Sequence, residues 1–459
     1  MNNWNPDKSL LKRPAYLSLV EQISDAILQG MLEPGEQLPP QRELAEELGI
    51  SLQTVSRAYE ELRRRDLVLG EIGRGTFVQA PAPVETMPFR EYRMPGNVVD
   101  LSIFKPVTSK VHKKYMSEAL NEISQEIPDD LLFSFRPNQG FARHLKTASI
   151  WLNLCGVNAD QERILTNNGV TQGTLAALMT VCKSGDTILA PEVGHHSLPN
   201  LCSYLGIRIK GLKQDEEGII PDSFSKACQA GGVKAVYLMP NLANPIVSLM
   251  SETRRKSIVE IARSNDVFIL ENDVFGPLTP NTNPTLVSLA PERTFYLTSF
   301  TKSVMPGLRS GYMVIPAGMM SSVRNRLLAT TWMATPLMAE IAARWVENGT
   351  AKKLVGIQRK SLNKRLLIAS KILQSFKFNS HPCAMHIWVP LPGRWRTSPF
   401  VALAQKMGVA VAPSTPFVVN LETEVRAVRV SLGSAKENDF KRGLRILAQI
   451  LSMEPEITA

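Results

Sequence analysis

Apolar residues recur at helical spacing over residues 16–28, with Leu19, Val20, Ile23 and Ile27 on one face and Gly30 closing the segment. A turn built on Glu33, Pro34, Gly35 and Glu36 follows, and then the run Leu38-Pro39-Pro40. The spacing next predicts a short helix over 41–48, stopped by Gly49. A second helix, capped by Ser51, is expected to run to about Arg65. The period then changes from helical to alternating: residues 67–69 and 76–78 flank Gly73-Arg74-Gly75 and predict a hairpin. Helix, turn with glycine, and helix in that order are the signature of a helix-turn-helix, and the hairpin adds a wing. The second helix would present Gln53, Thr54, Ser56 and Arg57 near its start, side chains that can donate or accept at base edges and phosphates in a major groove. Arg74, flanked by glycines, is placed to reach a phosphate or the minor groove. A small helical bundle with solvated arginines is the bland alternative, and the order of the elements speaks against it.

Pro81, Pro83, Pro88, Pro95 and Gly96 punctuate the next stretch, so residues 81–98 read as an extended, semi-rigid linker. Beyond it, helical patterns alternate with short apolar runs at 187–190, 235–238 and 267–270. This predicts an α/β domain with a mostly parallel sheet over 99–459, after a DNA-binding domain over 1–80. Ligands of such sheets lie at the carboxyl ends of the strands. The polar residues that follow the runs are Asn167-Asn-Gly-Val-Thr-Gln172, Pro240-Asn-Leu-Ala-Asn-Pro245, Glu271-Asn-Asp-Val-Phe275 and Thr298-Ser-Phe-Thr-Lys302, with Arg309 seven residues later. A glycine turn opening a helix offers backbone N–H groups to a phosphate. A lysine just past a strand, with Ser299, Thr301 and Arg309 around it, suits an aldehyde cofactor that carries a phosphate: the amine forms the Schiff base and the others hold the phosphate.

Composition changes the picture in two places. The chain of 459 residues carries a net charge of +10, but residues 1–80 hold 9 Lys+Arg against 12 Asp+Glu, so the assignment to DNA rests on pattern and not on basicity. Five scattered cysteines without a C-x-x-C pair fit a reducing cytosol and argue against a disulfide framework or a zinc site. No apolar run long enough for a membrane span is present, and the polar first ten residues lack a signal-peptide core, so a cytoplasmic protein is expected.

The stretch "LPPQRELAEELGISLQTVSRAYEELRRRDLVLGEIGRGTFV" resembles the winged-helix domain of the GntR family along its whole length. The resemblance implies that Arg42, Gln53, Thr54, Arg57 and Arg74 contact DNA. Pro40 stands where the family usually has a small hydroxyl residue. Residues from about 99 to 459 resemble a fold-type-I aminotransferase domain, and "TSFTKSVMPGLRSGY" is similar to its cofactor-lysine motif. A winged helix joined to such a domain is the architecture of MocR-type regulators. The resemblance implies that Lys302 bonds pyridoxal 5'-phosphate, and that Val170 and Thr171 give backbone contacts to the phosphate with Ser299, Thr301 and Arg309. It implies that Asn244 touches the ring hydroxyl and that His195, or His196, stacks on the pyridine. It also implies that Arg429, in "VRVSLG", grips a ligand carboxylate, for which a guanidinium is the bidentate solution.

Three departures stand out. Asn272 and Phe275 occupy the positions of an aspartate and a tyrosine in the family pattern, and Asn244-Pro-Ile-Val replaces a glycine-containing turn. The aspartate keeps the pyridine nitrogen protonated and makes the ring an electron sink, which asparagine does poorly. Asp273 is adjacent and would compensate in a shifted register. The expected protein is therefore a transcription regulator, a homodimer on double-stranded operator DNA, whose second domain senses an amino compound at Lys302 and Arg429 and turns none over. Similarity to regulators of ectoine and hydroxyectoine catabolism points to a diamino acid from ectoine breakdown as the effector. The rival readings are an active aminotransferase with an accessory DNA-binding domain, and a repressor whose second domain is only a dimerisation scaffold.

Overall fold

The computed structural model describes residues 4–28, 31–33, 35–64, 67–71, 75–79, 98–135, 137–279, 283–420 and 423–453. The chain divides into two compact units, Met1–Glu91 and Tyr92–Ala459. Arg74 and residues 81–97 of the expected linker lie outside the described residues.

The first unit holds α1 (Ala15–Leu28), α2 (Gln41–Leu48), α3 (Leu52–Arg64) and the antiparallel strands β1 (Val68–Glu71) and β2 (Gly75–Val78). Leu19, Val20 and Ile23 of α1, Leu44 and Leu48 of α2, and Val55, Tyr59 and Leu62 of α3 close on one another in a single core. Each such side chain contributes roughly 1.5–3 kcal/mol by leaving water. Gly49 ends α2 in the left-handed region at φ 64°, and the Ser51 hydroxyl accepts from Thr54 N at 3.1 Å to start α3. Pro40 occupies the N-cap of α2 and caps it with no side-chain hydrogen bond, as its lack of a hydroxyl requires.

The second unit is built on a seven-stranded sheet of β3 (Ile164–Asn167), β4 (Thr187–Pro191), β5 (Arg208–Leu212), β6 (Val233–Leu238), β7 (Phe268–Asn272), β8 (Thr294–Ser299) and β9 (Gly311–Val314), in the order β3-β9-β8-β7-β6-β4-β5. Strands β5, β4, β6, β7 and β8 run parallel, and β9 alone is antiparallel to both its neighbours. All six residues of β8 are buried, as expected of a strand covered on both faces. Two strands are longer than the apolar runs implied. Pairing of Asn272 with Leu297 and of Ser299 with Gly311 carries polar residues into the ladder, so Asn272, Thr298 and Ser299 end strands instead of following them. Gly311 is required there, since a Cβ would stand 2.4 Å from the Thr298 carbonyl.

A smaller antiparallel sheet joins β10 (His386–Pro390), β11 (Ala412–Pro413) and β12 (Ala427–Ser431). Residues 99–106 run onto this part of the unit as a strap. Val99–Asp100 pair with Val409–Ala410, Leu101 N donates to Ala410 O, and Ser431 N donates to Leu101 O.

Candidate cofactor and effector site

The carboxyl ends of β6, β7 and β8, the strap and β12 bring their polar side chains to one place. Lys302 sits on the four-residue helix Phe300–Ser303 directly after β8. Its Nζ donates to the Phe104 carbonyl at 2.8 Å and lies 4.6 Å from the centre of the Phe104 ring. Burial, and then the charges of Arg429 and Arg309, push its pKa from 10.5 down to about 7, so the amine gives up its proton near neutrality. Arg429, on β12, is buried and holds its guanidinium 4.8 Å from the same Phe104 ring and 4.8 Å from the Phe417 ring. It donates to Asn244 Oδ1 at 2.9 Å and to the Ser102 carbonyl at 3.0 Å. The Arg429 Nε and the Asn244 Nδ2 are buried without a partner, donors still open in this pocket.

Asn272, the last residue of β7, and Asp273 just after it are held by different partners. Asn272 Nδ2 donates to the Tyr237 hydroxyl at 2.5 Å, on the side where His195 lies 6.3 Å from the Tyr237 ring. Asp273 accepts from Asn241 Nδ2 at 2.8 Å and from the Tyr296 hydroxyl at 2.7 Å, and its carboxylate is consumed there. The shifted register that would bring Asp273 into the pocket is therefore absent. Phe275 is buried edge-on to Phe104, with ring centres 5.7 Å apart.

His195 and His196 stack on one another at 4.7 Å. His195 leans toward Tyr237, and its Nδ1 shares a hydrogen bond with the Ser197 hydroxyl at 2.9 Å, whereas His196 packs edge-on to Phe417. Both are neutral at neutral pH. Burial followed by nearby positive charge lowers His195 well below its ordinary value and His196 to about 4.

Val170 and Thr171 open the helix Val170–Val181, whose N-cap Gly169 (φ 97°) supplies no side-chain cap. A Cβ on Gly169 would lie 3.3 Å from an Arg309 guanidinium nitrogen and 3.8 Å from the Thr301 hydroxyl, so those two groups converge on this helix start. Arg309 also donates to the Asn168 carbonyl at 3.3 Å. Ser299 is buried at the end of β8, two residues away along the chain. An uncapped helix start, a guanidinium and hydroxyls are a donor set for a phosphate. An amine pushed toward neutrality beside it suits an aldehyde, so the residues present fit pyridoxal phosphate.

The motifs did not reveal Phe104, Ser102, Tyr237, His386 or Phe417. His386 Nε2 shares a hydrogen bond with the Pro245 carbonyl at 2.8 Å and faces Phe104 at 5.1 Å. Tyr237 stood inside an apolar run and read as core. Phe104 and Ser102 are about 200 residues from Lys302 and carry no local signature.

In the first unit, Arg42 and Gln53 are exposed at the starts of α2 and α3, Thr54 is half-buried, and the exposed Arg57 lays its guanidinium 4.0 Å from the Tyr16 ring. Among the described residues, no helix is long and apolar enough to cross a membrane.

Residues 15–78 match the bacterial regulatory proteins of the gntR family, and residues 132–446 match aminotransferase class I and II. A Bacillus subtilis protein named as the HTH-type transcriptional regulator YdeF is 29% identical over 454 residues, covering 98% of this chain and 97% of that one. The pyridoxine biosynthesis transcriptional regulator PdxR of Corynebacterium glutamicum is 27% identical over 320 residues, covering 68% and 67%. Among solved structures, an aminotransferase of Thermococcus profundus superposes with a TM-score of 0.72 at 20% identity, over 82% of this chain and 95% of that one. The likeness at that identity is one of fold. The chain belongs to the aminotransferase class I and II family, and a helix-turn-helix segment of the bacterial gntR family stands at its N-terminus.

Proposed function

We propose that this protein is a DNA-binding transcription regulator whose second unit binds pyridoxal 5'-phosphate at Lys302 and senses an amino compound that carries a carboxylate. One observation carries the reading: the Lys302 amine and the Arg429 guanidinium lie 4.6 Å and 4.8 Å from the same ring, within reach of one small molecule bearing both groups. When bound, the cofactor supplies an aldehyde that joins an amine reversibly. The chain's own residues do the rest. Lys302 offers an amine that gives up its proton near neutrality, the helix start at Val170 and Thr171 with Ser299, Thr301 and Arg309 holds phosphate, and Asn244 joins Arg429 by a hydrogen bond.

In this reading Asn272, bonded to Tyr237, stands where a carboxylate would be needed to hold a proton on a pyridine nitrogen, which favours sensing over turnover. Arg42, Gln53, Thr54, Arg57 and Arg74 carry the DNA contacts, and two copies of the chain serve two half-sites in the cytoplasm. A switch of this kind needs the ligand to bind two conformations with different affinity. Resemblance to regulators of ectoine catabolism supplies diamino acids as candidate effectors, and the charge of the pocket weighs against a free second amine.

The test is the visible spectrum of purified wild type beside Lys302→Ala, after addition of pyridoxal phosphate and then of amino acids. A band present only in wild type, altered by an amino acid without sustained keto-acid release, is expected. Lack of any Lys302-dependent band would remove the cofactor reading, and many turnovers would replace sensing by catalysis.

A further inference from the structure

Charge in this pocket is one-sided. Lys302 donates to the Phe104 carbonyl, Arg309 to the Asn168 carbonyl, and Arg429 to Asn244 Oδ1 and the Ser102 carbonyl. Among the described residues, no carboxylate hydrogen-bonds or ion-pairs with any of the three cations. The acids at the end of β7, Glu271 and the following Asp273, are taken up by other partners. Glu271 accepts from the backbone N–H groups of Leu286 and Val287 at 3.0 Å and 2.9 Å, and Asp273 accepts from Asn241 and Tyr296. His195, His196 and His386 are all lowered by burial and by Arg429 and Lys302, so no acid offsets their surroundings either. The remaining wall is aromatic, formed by Phe104, Phe275 and Phe417.

We propose that the pocket selects amino acids that carry a single ammonium group, with the uncharged remainder lying against Phe104 and Phe417, and that it rejects diamino acids whose second ammonium is free. This rests on the reading of the site as an amine sensor and narrows its ligand. Each cation already has a use under that reading: Arg309 for phosphate, Lys302 for the aldehyde, Arg429 for the ligand carboxylate. Among the described residues nothing anionic remains for a second cation, and a desolvated charge without a partner is strongly disfavoured. Cation–π contact offers no relief. The Phe104 and Phe417 rings both already face the Arg429 guanidinium, so another ammonium on those rings would meet like charge.

Norvaline and 2,4-diaminobutyrate test this directly, because they share a chain length and differ by a terminal methyl against an ammonium. Full-length protein loaded with pyridoxal phosphate is titrated with each at neutral pH, reading the visible band and, in parallel, the rise in Tm. Half-saturation by norvaline at a concentration lower by at least about tenfold is expected. Equal or tighter binding of 2,4-diaminobutyrate overturns the charge selection while leaving amine sensing intact. If the Lys302-dependent band is present but neither compound changes it or the Tm, the selection falls together with the sensing reading.

Discussion

Lys302 shows how one residue acquires its chemistry from neighbours remote in sequence. An exposed lysine holds its proton to about pH 10, whereas here burial, Arg429 and Arg309 bring the pKa down to about 7. The neutral amine is the nucleophile. For protein stripped of cofactor, the rate of pyridoxal phosphate uptake should therefore rise with pH through about 7 and level off well below 10, which stopped-flow absorbance can follow. A rate still climbing about tenfold per pH unit near pH 9–10 would show a lysine of ordinary basicity. Asn272 makes the complementary point. The sequence left Asn272 and Asp273 as alternatives for the pocket, because a one-residue slip exchanges the faces of a strand. In the structure the Asp273 carboxylate is taken up by Asn241 and Tyr296, while Asn272 bonds Tyr237.

At the scale of elements, the strap over 99–106 is the segment that motif reading could not assign. It supplies the Phe104 ring and the Ser102 carbonyl, and it is held by β-bridge pairing at one end and by close contact at the other. An ideal Cβ on Gly433 would stand 1.9 Å from the Lys105 carbonyl, so this position tolerates no side chain unless the strap moves. Gly433→Ala is expected to cost roughly 1–3 kcal/mol, as overpacking does, and to weaken the response to amino acids. Thermal unfolding of the loaded protein, with and without norvaline, measures both. An unchanged Tm together with unchanged ligand response would show that the strap is not clamped there.

For the whole molecule, the distribution of charge separates attraction from recognition. Residues beyond 80 carry a net +13 and residues 1–80 a net −3, so recognition of DNA by the first unit rests on a few side chains. With an operator fragment selected from random sequence by the full-length protein, Gln53→Ala should cost about 1–3 kcal/mol at the preferred base and relax the preference there. Arg42→Ala should weaken all sequences alike and reduce the log–log salt slope by about 0.9. Fluorescence anisotropy across a salt series distinguishes the two patterns, and a sequence-dependent loss in Arg42→Ala would reverse the roles assigned to these residues.

The sequence by itself determined the elements whose signals are local. Val55, Tyr59 and Leu62 at helical spacing, Ser51 as a cap and Gly49 as a stop specify α3 without reference to anything distant. The buried runs of β6, β7 and β8 specify a sheet covered on both faces, and the lysine just past β8 marks the site. Tertiary structure decided what faces that lysine. Phe104 and Ser102 come from a strap about 200 residues earlier, and Arg429 comes from a different sheet more than 100 residues later. Side-chain direction there follows from strand register and from which backbones touch. No periodicity encodes such long-range contacts, because they are chosen by packing, so the chemistry was legible and the pocket's wall and charge were not.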